Sequence, residues 1–284
     1  EVAAAFERPT LLFSGGKDSL VMLKCAEKAF GAGRIPYPLL MIDTGHNFSE
    51  VTDFRDQRAK ELGAELIVRS VEDSMARGTV RLAHPGESRN VHQSVTLLEA
   101  IEEFRFDALI GGARRDEEKA RAKERIFSHR DSFGQWQPKA QRPELWTLFN
   151  TRLHLGEHFR VFPISNWTEL DIWQYIHLNN IPIVPLYFAA VRPTYEWDGQ
   201  IFMADDIDRL EKVLGRKPEI VDRSIRFRTL GCFPLTGAVE STASTLTEVI
   251  QETLLTSTSE RQGRVIDKDG GDASMEKKKQ QGYF

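Results

Sequence analysis

The sequence predicts an α/β protein with a doubly wound, five-stranded and mostly parallel sheet, followed by an irregular and helical C-terminal extension. Three observations support this prediction. Short, continuously apolar runs alternate with longer segments whose apolar residues recur at helical spacing. Continuous apolar character is typical of parallel strands that are buried on both faces. The resulting strand–helix–strand order favours a parallel sheet with right-handed crossover connections.

The first strand is predicted at 10–13, directly before the hexapeptide Ser14-Gly15-Gly16-Lys17-Asp18-Ser19. An amphipathic helix follows the hexapeptide and ends near residue 30. The other strands are predicted at 38–42, 65–68, 107–110 and 160–164, and further helices at about 49–62, 97–104, 168–176 and 246–254. The segment 70–90 is polar and rich in turn-forming residues, so we expect a loop there.

The hexapeptide has the properties of a phosphate-binding turn. Its two glycines allow a sharp bend and leave room for a ligand beside the backbone. The free N–H groups and the positive dipole end of the following helix favour an anion. Lys17 adds a positive charge, and Ser14 and Ser19 add hydroxyl donors. Asp18 indicates either a bound metal ion or a cap on the loop's own N–H groups. The spacing matches neither the Walker A pattern nor the three-glycine dinucleotide fingerprint.

Two further strands end in residues that suit a ligand. Asp43 and Thr44 follow the second strand, and Gly111 and Gly112 follow the fourth. Ligands of doubly wound sheets bind at the carboxyl ends of the strands beside the switch point, so we expect these ends to meet the hexapeptide in one crevice. A nucleoside is expected near Asp43, Thr44 and Gly111, with its phosphates on the hexapeptide. The alternatives are that Asp43 and Thr44 only cap the next turn, and that the glycines only form a turn.

Four arginines are candidates for binding an anionic substrate. Arg114 and Arg115 directly follow the glycine pair, so at least one of them is expected to face the crevice. The rest of this charged segment, to residue 125, is predicted to be a solvated helix with salt bridges. Arg226 and Arg228 lie close to Gly and Pro residues, which suits an oxyanion clamp. The alternative for this second pair is that both side chains lie on the surface.

The chain is expected to divide near residue 180. Residues 1–180 are predicted to form a nucleotide-binding domain, in which 126–158 is an insertion that covers the site or packs at its edge. Residues 181–284 are predicted to form an extension that packs on the same domain. The last part of this extension, 257–284, has almost no apolar content before its final two aromatic residues. This composition is typical of a disordered tail, which we expect to bind a partner.

Residues that commonly bind metals or form disulfides are few. His154 and His158 have the spacing of two metal ligands on one helix face, but no acid or cysteine completes the set. Surface or core histidines are therefore the favoured interpretation. Cys25 and Cys232 lie far apart in the sequence and form no metal-binding pattern. We expect an intracellular, reducing environment and a cytoplasmic protein.

The composition also excludes several classes of protein. With 284 residues, 40% of them hydrophobic, and 17 Phe, the chain can form one large α/β domain with an appendage. The net charge of −4 argues against a broad nucleic-acid interface. There is no run of 18 apolar residues and no basic–apolar leader, so we expect neither a membrane span nor a membrane partner.

The hexapeptide resembles the pyrophosphate loop of the ATP pyrophosphatases, whose consensus is Ser-Gly-Gly-x-Asp-Ser. This resemblance implies an adenine nucleotide alpha hydrolase-like fold and ATP as the substrate. Two later segments are similar to one branch of that superfamily, namely Trp-Thr-x-x-Asp-Ile-Trp-x-Tyr-Ile at 167–176 and Arg-x-Arg-x-x-Gly-Cys at 226–232. The branch contains the phosphoadenylylsulfate reductases and the nucleotidyl subunits of bacterial ATP sulfurylases.

Within this branch the chain resembles the small-subunit family of the sulfate adenylyltransferases. The resemblance rests on Gly-Gly-Ala-Arg-Arg-Asp-Glu-Glu-Lys-Ala-Arg at 111–121 and on the Met-Glu-Lys-Lys-Lys ending near the C-terminus. The reductases need a nucleophilic cysteine near the C-terminus, which this chain lacks, and Phe233 stands where paired-cysteine versions carry a second cysteine. Thiolating tRNA enzymes also need cysteines and a basic surface, and the sequence lacks both features.

The resemblance implies a nucleotidyltransferase that converts ATP and sulfate to adenosine 5′-phosphosulfate and pyrophosphate, an early step of cysteine biosynthesis. It further implies Mg²⁺, with Asp18 as a candidate ligand, and a heterodimer with a GTPase subunit whose GTP hydrolysis drives the reaction. The catalytic candidates are Lys17, Arg114, Arg115, Arg226 and Arg228. The alternatives are a reductase-like or FAD synthetase-like enzyme with the same loop, and a non-catalytic sensor of adenylyl nucleotides.

Overall fold

A mostly parallel sheet is formed by the first part of the chain, and a smaller antiparallel sheet by the last part. The structure, a computed structural model, describes residues 1–31, 33–83, 87–117, 123–141, 144, 148–204, 217–233 and 236–256. Within these residues the strands are β1 Pro9–Leu12, β2 Leu39–Asp43, β3 Leu66–Ser70, β4 Ala108–Ile110, β5 Phe127–Arg130, β6 His158–Val161, β7 Ala190–Trp197, β8 Gln200–Met203, β9 Val221–Arg226 and β10 Val239–Glu240. The helices are α1 Val2–Ala5, α2 Lys17–Phe30, α3 Ser49–Glu61, α4 Val71–Arg77, α5 Gln93–Phe104, α6 Glu169–Leu178 and α7 Leu246–Leu255.

The larger sheet has the strand order β3-β2-β1-β4-β6-β5. All neighbouring strands in it are parallel except β5, which pairs antiparallel with β6. The predicted α/β fold with a doubly wound, mostly parallel sheet is therefore confirmed. In the described residues the sheet has six strands rather than the predicted five. The additional strand is β5, which lies in the segment predicted to be an insertion. Its sequence, Phe-Ser-His-Arg, lacks an apolar pattern although all four residues are buried.

Helices pack on both faces of this sheet. On one face, Leu11, Leu39 and Ile110 belong to a core cluster that also contains buried residues of α2, α3 and α6. On the other face, Leu40 and Leu109 pack with α5. Two opposite covered faces explain why the strands are continuously apolar in the sequence.

The smaller sheet has the order β10-β9-β7-β8 and is antiparallel throughout. The extension was expected to be irregular and helical; it contains helix α7, but its four-stranded sheet was not predicted. The reason is visible in β7, where most side chains are exposed or only half-buried and where Pro193 interrupts the sequence pattern. An antiparallel strand with one face exposed to solvent does not need the apolar run by which a strand buried on both faces is recognised.

One hydrophobic core joins the two sheets. Ile225 and Phe227 of the extension lie in the same buried cluster as Leu11 and Phe13 of the first strand. The extension thus packs on the larger sheet. The position of the domain boundary near residue 180 stays a prediction, and the predicted tail, 257–284, lies outside the described residues.

Two other segments differ from expectation or fall partly outside the structure. The expected loop at 70–90 contains α4, which begins where Ser70 Oγ accepts a hydrogen bond from the Glu72 N–H at 3.0 Å. Ser74 of α4 is buried and hydrogen-bonds Thr96 of α5 at 2.9 Å, so a tertiary contact supports this short helix. The charged segment predicted to be a helix forms a turn at 115–117, and its residues 118–122 lie outside the described part. Among the described helices none is long and apolar enough to cross a bilayer.

Candidate active site

A cavity of about 310 Å³ opens at the carboxyl ends of the central strands. This volume lies within the range of small-molecule sites, roughly 300–1,000 Å³. Its described lining comprises residues of the hexapeptide, the end of β2, the segment after β4, helix α5 and the extension: Ser14, Gly16, Lys17, Asp18, Ser19, Ile42, Asn47, Asn90, Gln93, Gly111, Gly112, Glu117, Arg160, Tyr187, Thr229, Gly231, Cys232 and Thr236, together with apolar neighbours. The structure therefore brings together the ends of the first, second and fourth predicted strands.

The hexapeptide bends sharply between β1 and α2. Gly15 has a φ of +77°, a left-handed conformation that strains any residue with a side chain. The serine hydroxyls bond within the turn, because Ser19 Oγ donates to the Gly16 carbonyl at 2.8 Å and Ser14 Oγ accepts from the Gly16 N–H at 3.3 Å. Gly16 precedes the first residue of α2 and offers no side-chain cap. The positive dipole end of α2 lies at the cavity wall, where it favours an anion.

Lys17, Asp18 and Arg114 form a chain of ion pairs at the base of the cavity. Lys17 Nζ lies 3.2 Å from Asp18 Oδ2, and Arg114 Nε donates to Asp18 Oδ1 at 2.7 Å. The Lys17 and Arg114 side chains are buried, whereas Asp18 is partly exposed. In the described contacts, Asp18 therefore pairs with the Lys17 and Arg114 side chains and does not cap the N–H groups of the loop. The chain of ion pairs ties the start of α2 to the segment after β4, where Arg114 Nη1 also lies 3.6 Å from Asp116 Oδ2.

The backbone after β4 approaches the hexapeptide very closely. A Cβ atom built on Gly112 would lie 2.9 Å from Asp18 Cβ and 3.0 Å from the Asp18 carbonyl carbon. Such distances are too short for any residue other than glycine. A Cβ on Gly111 would meet Phe162 at 3.5 Å, which is an ordinary contact. Of the two predicted glycines, Gly112 is therefore the one that the packing requires.

Tyr187 of the extension contacts the hexapeptide directly. Its hydroxyl accepts a hydrogen bond from the Lys17 N–H at 2.8 Å, and the residue is buried. The Tyr187 ring packs edge-on against Trp173 of α6, with ring centroids 5.2 Å apart. The extension thereby fixes a backbone group at the start of α2.

Asp43 and Thr44 lie beside the cavity and do not belong to its described lining. Asp43 Oδ1 accepts hydrogen bonds from the Gly45 N–H at 2.7 Å and from Asn47 Nδ2 at 2.9 Å. Thr44 Oγ1 lies 3.0 Å from Cys232 Sγ. These contacts match the alternative interpretation, in which both residues stabilise the turn after β2. Their role in binding a nucleoside stays a prediction, and Asn47 is the residue of this turn that reaches the cavity.

The predicted arginines all bond protein groups and do not line the cavity in the described part of the chain. Arg114 holds Asp18, as above. For the others, Arg115 donates to Asn166 Oδ1 and to the Glu124 carbonyl, Arg226 pairs with Glu252 at 2.6 Å, and Arg228 pairs with Glu169 at 2.6 Å. Their catalytic roles stay predictions. The sequence shows that these residues are charged but not which carboxylate each one meets.

Sequence reasoning missed several residues of the cavity. Arg160 lies in β6 and is almost completely buried. A signal for it existed, because an arginine that begins a predicted apolar strand is unusual. Asn90 and Gln93 come from the segment expected to be a loop and from the start of α5, and no pattern distinguished them. Cys232 Sγ lies 3.0 Å from Asn90 Oδ1, which places this thiol at the cavity wall.

Metal binding by protein side chains alone is not indicated in the described residues. No group of three or more His, Cys, Asp or Glu side chains there is arranged to hold an ion. His154 is exposed and His158 is buried in β6, as the favoured interpretation expects. Burial, together with Arg160, Arg130 and His129, keeps the pKa of His158 well below its usual value, so this ring is neutral.

The chain is similar to known proteins over its whole length. Residues 8–238 match the family model described as phosphoadenosine phosphosulfate reductase domain. Curated relatives named sulfate adenylyltransferase subunit 2 are 59% identical in Citrifermentans bemidjiense and 57% identical in Saccharophagus degradans, each aligned over 100% of this chain and 93% of the relative. The relative of the same name from Caulobacter vibrioides is 59% identical over 100% of this chain and 90% of its own length.

Among solved structures, phosphoadenylyl-sulfate reductase from Candida auris matches with a TM-score of 0.44 at 17% identity, covering 65% of this chain and 79% of that one. The match of the family model extends from the residue before β1 to the residue before β10. The curated relatives extend the match to all 284 residues. The chain therefore belongs to the phosphoadenosine phosphosulfate reductase domain family and, within that family, to the sulfate adenylyltransferase subunit 2 proteins.

Proposed function

We propose that this chain is the catalytic nucleotidyltransferase subunit of a sulfate adenylyltransferase, which converts ATP and sulfate to adenosine 5′-phosphosulfate and pyrophosphate. The observation that carries the proposal is the hexapeptide at the cavity base, where the positive dipole end of α2, the glycine backbone and Lys17 offer a site for phosphates. The relatives' shared name supports the choice of sulfate as the acceptor.

The proposed reaction is an in-line displacement at the α-phosphorus. A sulfate oxygen forms the new bond to phosphorus while the bridge to the β-phosphate breaks, and pyrophosphate leaves with that electron pair. Because the nucleophile is already an anion, no general base is needed. Catalysis then depends on holding sulfate and the α-phosphate of ATP in position and on neutralising the charge that develops on the leaving pyrophosphate. Lys17 and the start of α2 would bind the β- and γ-phosphates for this purpose.

Mg²⁺ belongs to the proposal as a partner of the nucleotide. The described lining of the cavity carries two carboxylates, Asp18 and Glu117, and the oxygens of Asp18 already contact Lys17 and Arg114. One or two carboxylates suit Mg²⁺, which commonly keeps several waters and substrate phosphates as ligands. When bound, the ion would neutralise charge on the phosphate oxygens.

The word subunit in the relatives' name supports a second chain. We propose that it is a GTPase subunit, that the two form a heterodimer, and that GTP hydrolysis drives the reaction. On this proposal the pair acts in the cytoplasm, in sulfate activation for cysteine biosynthesis.

The test is exchange of labelled pyrophosphate into ATP by the chain copurified with its partner, in the presence of GTP. We expect exchange that requires sulfate. Exchange that requires flavin mononucleotide instead would establish the FAD synthetase-like alternative. Binding of ATP without any exchange would favour the nucleotide sensor and contradict the proposal. Thiol-dependent release of sulfite from adenylyl sulfate would identify a reductase-like enzyme.

A chemical prediction concerns the two cysteines. Cys232 lines the cavity, whereas Cys25 lies on α2 and packs near Tyr175. We expect ATP to slow alkylation of Cys232 by a small reagent such as iodoacetamide by about tenfold or more, because a site that ATP occupies about 90% of the time is accessible for only the remaining fraction. Alkylation of Cys25 should stay unchanged and serves as the internal control. Mass spectrometry of both peptides measures the rates, and equal rates at Cys232 with and without ATP would contradict the assigned cavity.

A further inference from the structure

Glu169, the first residue of α6, carries a buried carboxylate that has no part in the reaction as proposed. Only 8% of the residue is exposed to solvent. The start of α6 is already capped by Thr168 and Asp171, so the helix does not need Glu169 for this purpose. A charged side chain is rarely buried unless it has partners. The reason for its burial therefore lies in the contacts that it makes.

One contact of this carboxylate leads to the wall of the cavity. Glu169 Oε2 accepts a hydrogen bond from Arg228 Nη2 at 2.6 Å. Arg228 directly precedes the segment 229–232, and all four residues of this segment line the cavity. Glu169 thus holds the residue at which this wall of the cavity begins.

A second contact leads to the hexapeptide. Glu169 Oε1 accepts a hydrogen bond from Trp173 Nε1 at 3.3 Å. The Trp173 ring lies edge-on against the Tyr187 ring, with centroids 5.2 Å apart, and both residues are buried. The Tyr187 hydroxyl accepts from the Lys17 N–H at 2.8 Å. One carboxylate therefore stands at the end of two separate paths to the site.

The backbone of Glu169 is held from the other side of the site. Its N–H donates to Asp116 Oδ2 at 3.1 Å, and the same oxygen lies 3.6 Å from Arg114 Nη1. Arg114 in turn bonds Asp18 of the hexapeptide. The start of α6 is therefore joined to the segment after β4 as well as to the extension.

Stability alone does not account for this carboxylate. The Arg228 and Glu169 side chains are 11% and 10% exposed, and a largely buried ion pair gives little net stability, because its charges must leave water. A carboxylate with two acceptor oxygens can instead fix the directions of two donors at once. This property suits a site whose walls come from distant parts of the chain.

We propose that Glu169 is a positioning residue of the cavity. It holds Arg228 and Trp173 and thereby fixes the segment 229–232 and Tyr187 relative to the hexapeptide. The effect on turnover rests on the proposed function, whereas the effect on the shape of the cavity does not.

The thiol of Cys232 reports on the position of the segment 229–232. The residue is 5% exposed, so its alkylation by iodoacetamide requires a local opening. In Glu169→Gln the amide has one acceptor oxygen in place of two, and one of the two donors loses its partner. We expect alkylation of Cys232 in the full chain without ATP to become about tenfold faster, the shift that a lost hydrogen bond to a charged group produces. Alkylation of Cys25 should not change.

Glu252→Gln is the matched control. Glu252 pairs with Arg226 at 2.6 Å, and neither residue lines the described cavity. The variant removes the same kind of ion pair within the extension. We expect its Cys232 alkylation rate to stay within about twofold of the wild-type rate, because local openings are specific to the contacts that are lost. An equal rise in Glu252→Gln and Glu169→Gln would indicate general loosening and would overturn the proposal.

Two further variants separate a positioning role from a loss of stability. Glu169→Asp keeps both acceptor oxygens on a shorter side chain, so its Cys232 rate should lie between those of the wild type and Glu169→Gln. It also carries the test if Glu169→Gln fails to fold, and a wild-type rate would then contradict the proposal. Adding Arg228→Met to Glu169→Gln should raise the Cys232 rate far less than Arg228→Met does alone, because both changes act on one contact.

The kinetic readout is pyrophosphate exchange in the complex with the partner subunit. We expect Glu169→Gln to raise the KM for ATP several-fold and Glu252→Gln to leave it unchanged. The two proposals can fail separately. Wild-type complex without sulfate-dependent exchange would refute the proposed function. Active wild-type complex, with a Glu169→Gln variant that keeps both the wild-type Cys232 rate and the wild-type KM for ATP, would overturn the positioning role alone.

Discussion

Replacing Lys17 with methionine is expected to reduce sulfate-dependent turnover by about 100-fold or more, the effect seen when one preorganised charge-stabilising donor is removed. Lys17 is 1% exposed and is the cation of the hexapeptide. Methionine keeps the length of the side chain and removes its charge, so the leaving pyrophosphate loses its neutralising partner. The fold should persist, because Asp18 remains paired with Arg114 at 2.7 Å.

The measurement is kcat for pyrophosphate exchange in the complex, together with the unfolding temperature of the isolated chain. Lys24→Met is the matched control, since Lys24 lies on the same helix and pairs with Glu27 at 3.0 Å, outside the described cavity lining. We expect the control to retain full activity. Turnover of Lys17→Met within threefold of wild type, in a folded complex, would show that the hexapeptide does not hold the leaving group.

The second large effect is expected from Gly112→Ala. The added Cβ would lie 2.9 Å from Asp18 Cβ and 3.2 Å from the Asp18 carbonyl oxygen, so either β4 or the start of α2 must shift. Overpacking of this kind costs about 1–3 kcal/mol of the free energy of unfolding. Because the shift acts on the residue next to Lys17, we also expect the KM for ATP to rise several-fold.

Gly111→Ala provides a control one residue away with the same change in chemistry. Its Cβ would meet Phe162 at 3.5 Å and Leu12 at 3.8 Å, both ordinary contacts. We expect its free energy of unfolding to stay unchanged or to rise slightly, as for alanine at a compatible glycine position. Urea unfolding measures the free energy of unfolding of Gly111→Ala and Gly112→Ala, and steady-state kinetics measures the KM for ATP of each variant. Equal stability of the two variants would mean that the close approach at Gly112 does not constrain the hexapeptide.

The strands β5 and β7 show where local sequence patterns no longer predict secondary structure. Apolar runs predict β1, β2 and β4 because each is buried on two faces, and periodicity predicts α2 and α6 because each buries one stripe. β5 and β7 carry polar or exposed residues, and only their pairing with distant strands makes them strands. The capping box at the start of α6, in which the Asp171 N–H donates to Thr168 Oγ1 at 3.1 Å, is by contrast a local feature, because it depends on residues three apart.

The sequence by itself determined the α/β class, the strand-to-helix turn with its glycines and Lys17, and the family, because these depend on residues close together in the chain. Only the tertiary structure decided which charges meet. Asp18 and Arg114 are 96 residues apart, and Lys17 and the Tyr187 hydroxyl are 170 residues apart. The partner of a buried charge depends on how strands and helices pack, and no local pattern encodes that packing. For this reason the four arginines that were candidates for binding an anionic substrate contact protein groups, while Arg160, inside a strand, reaches the cavity.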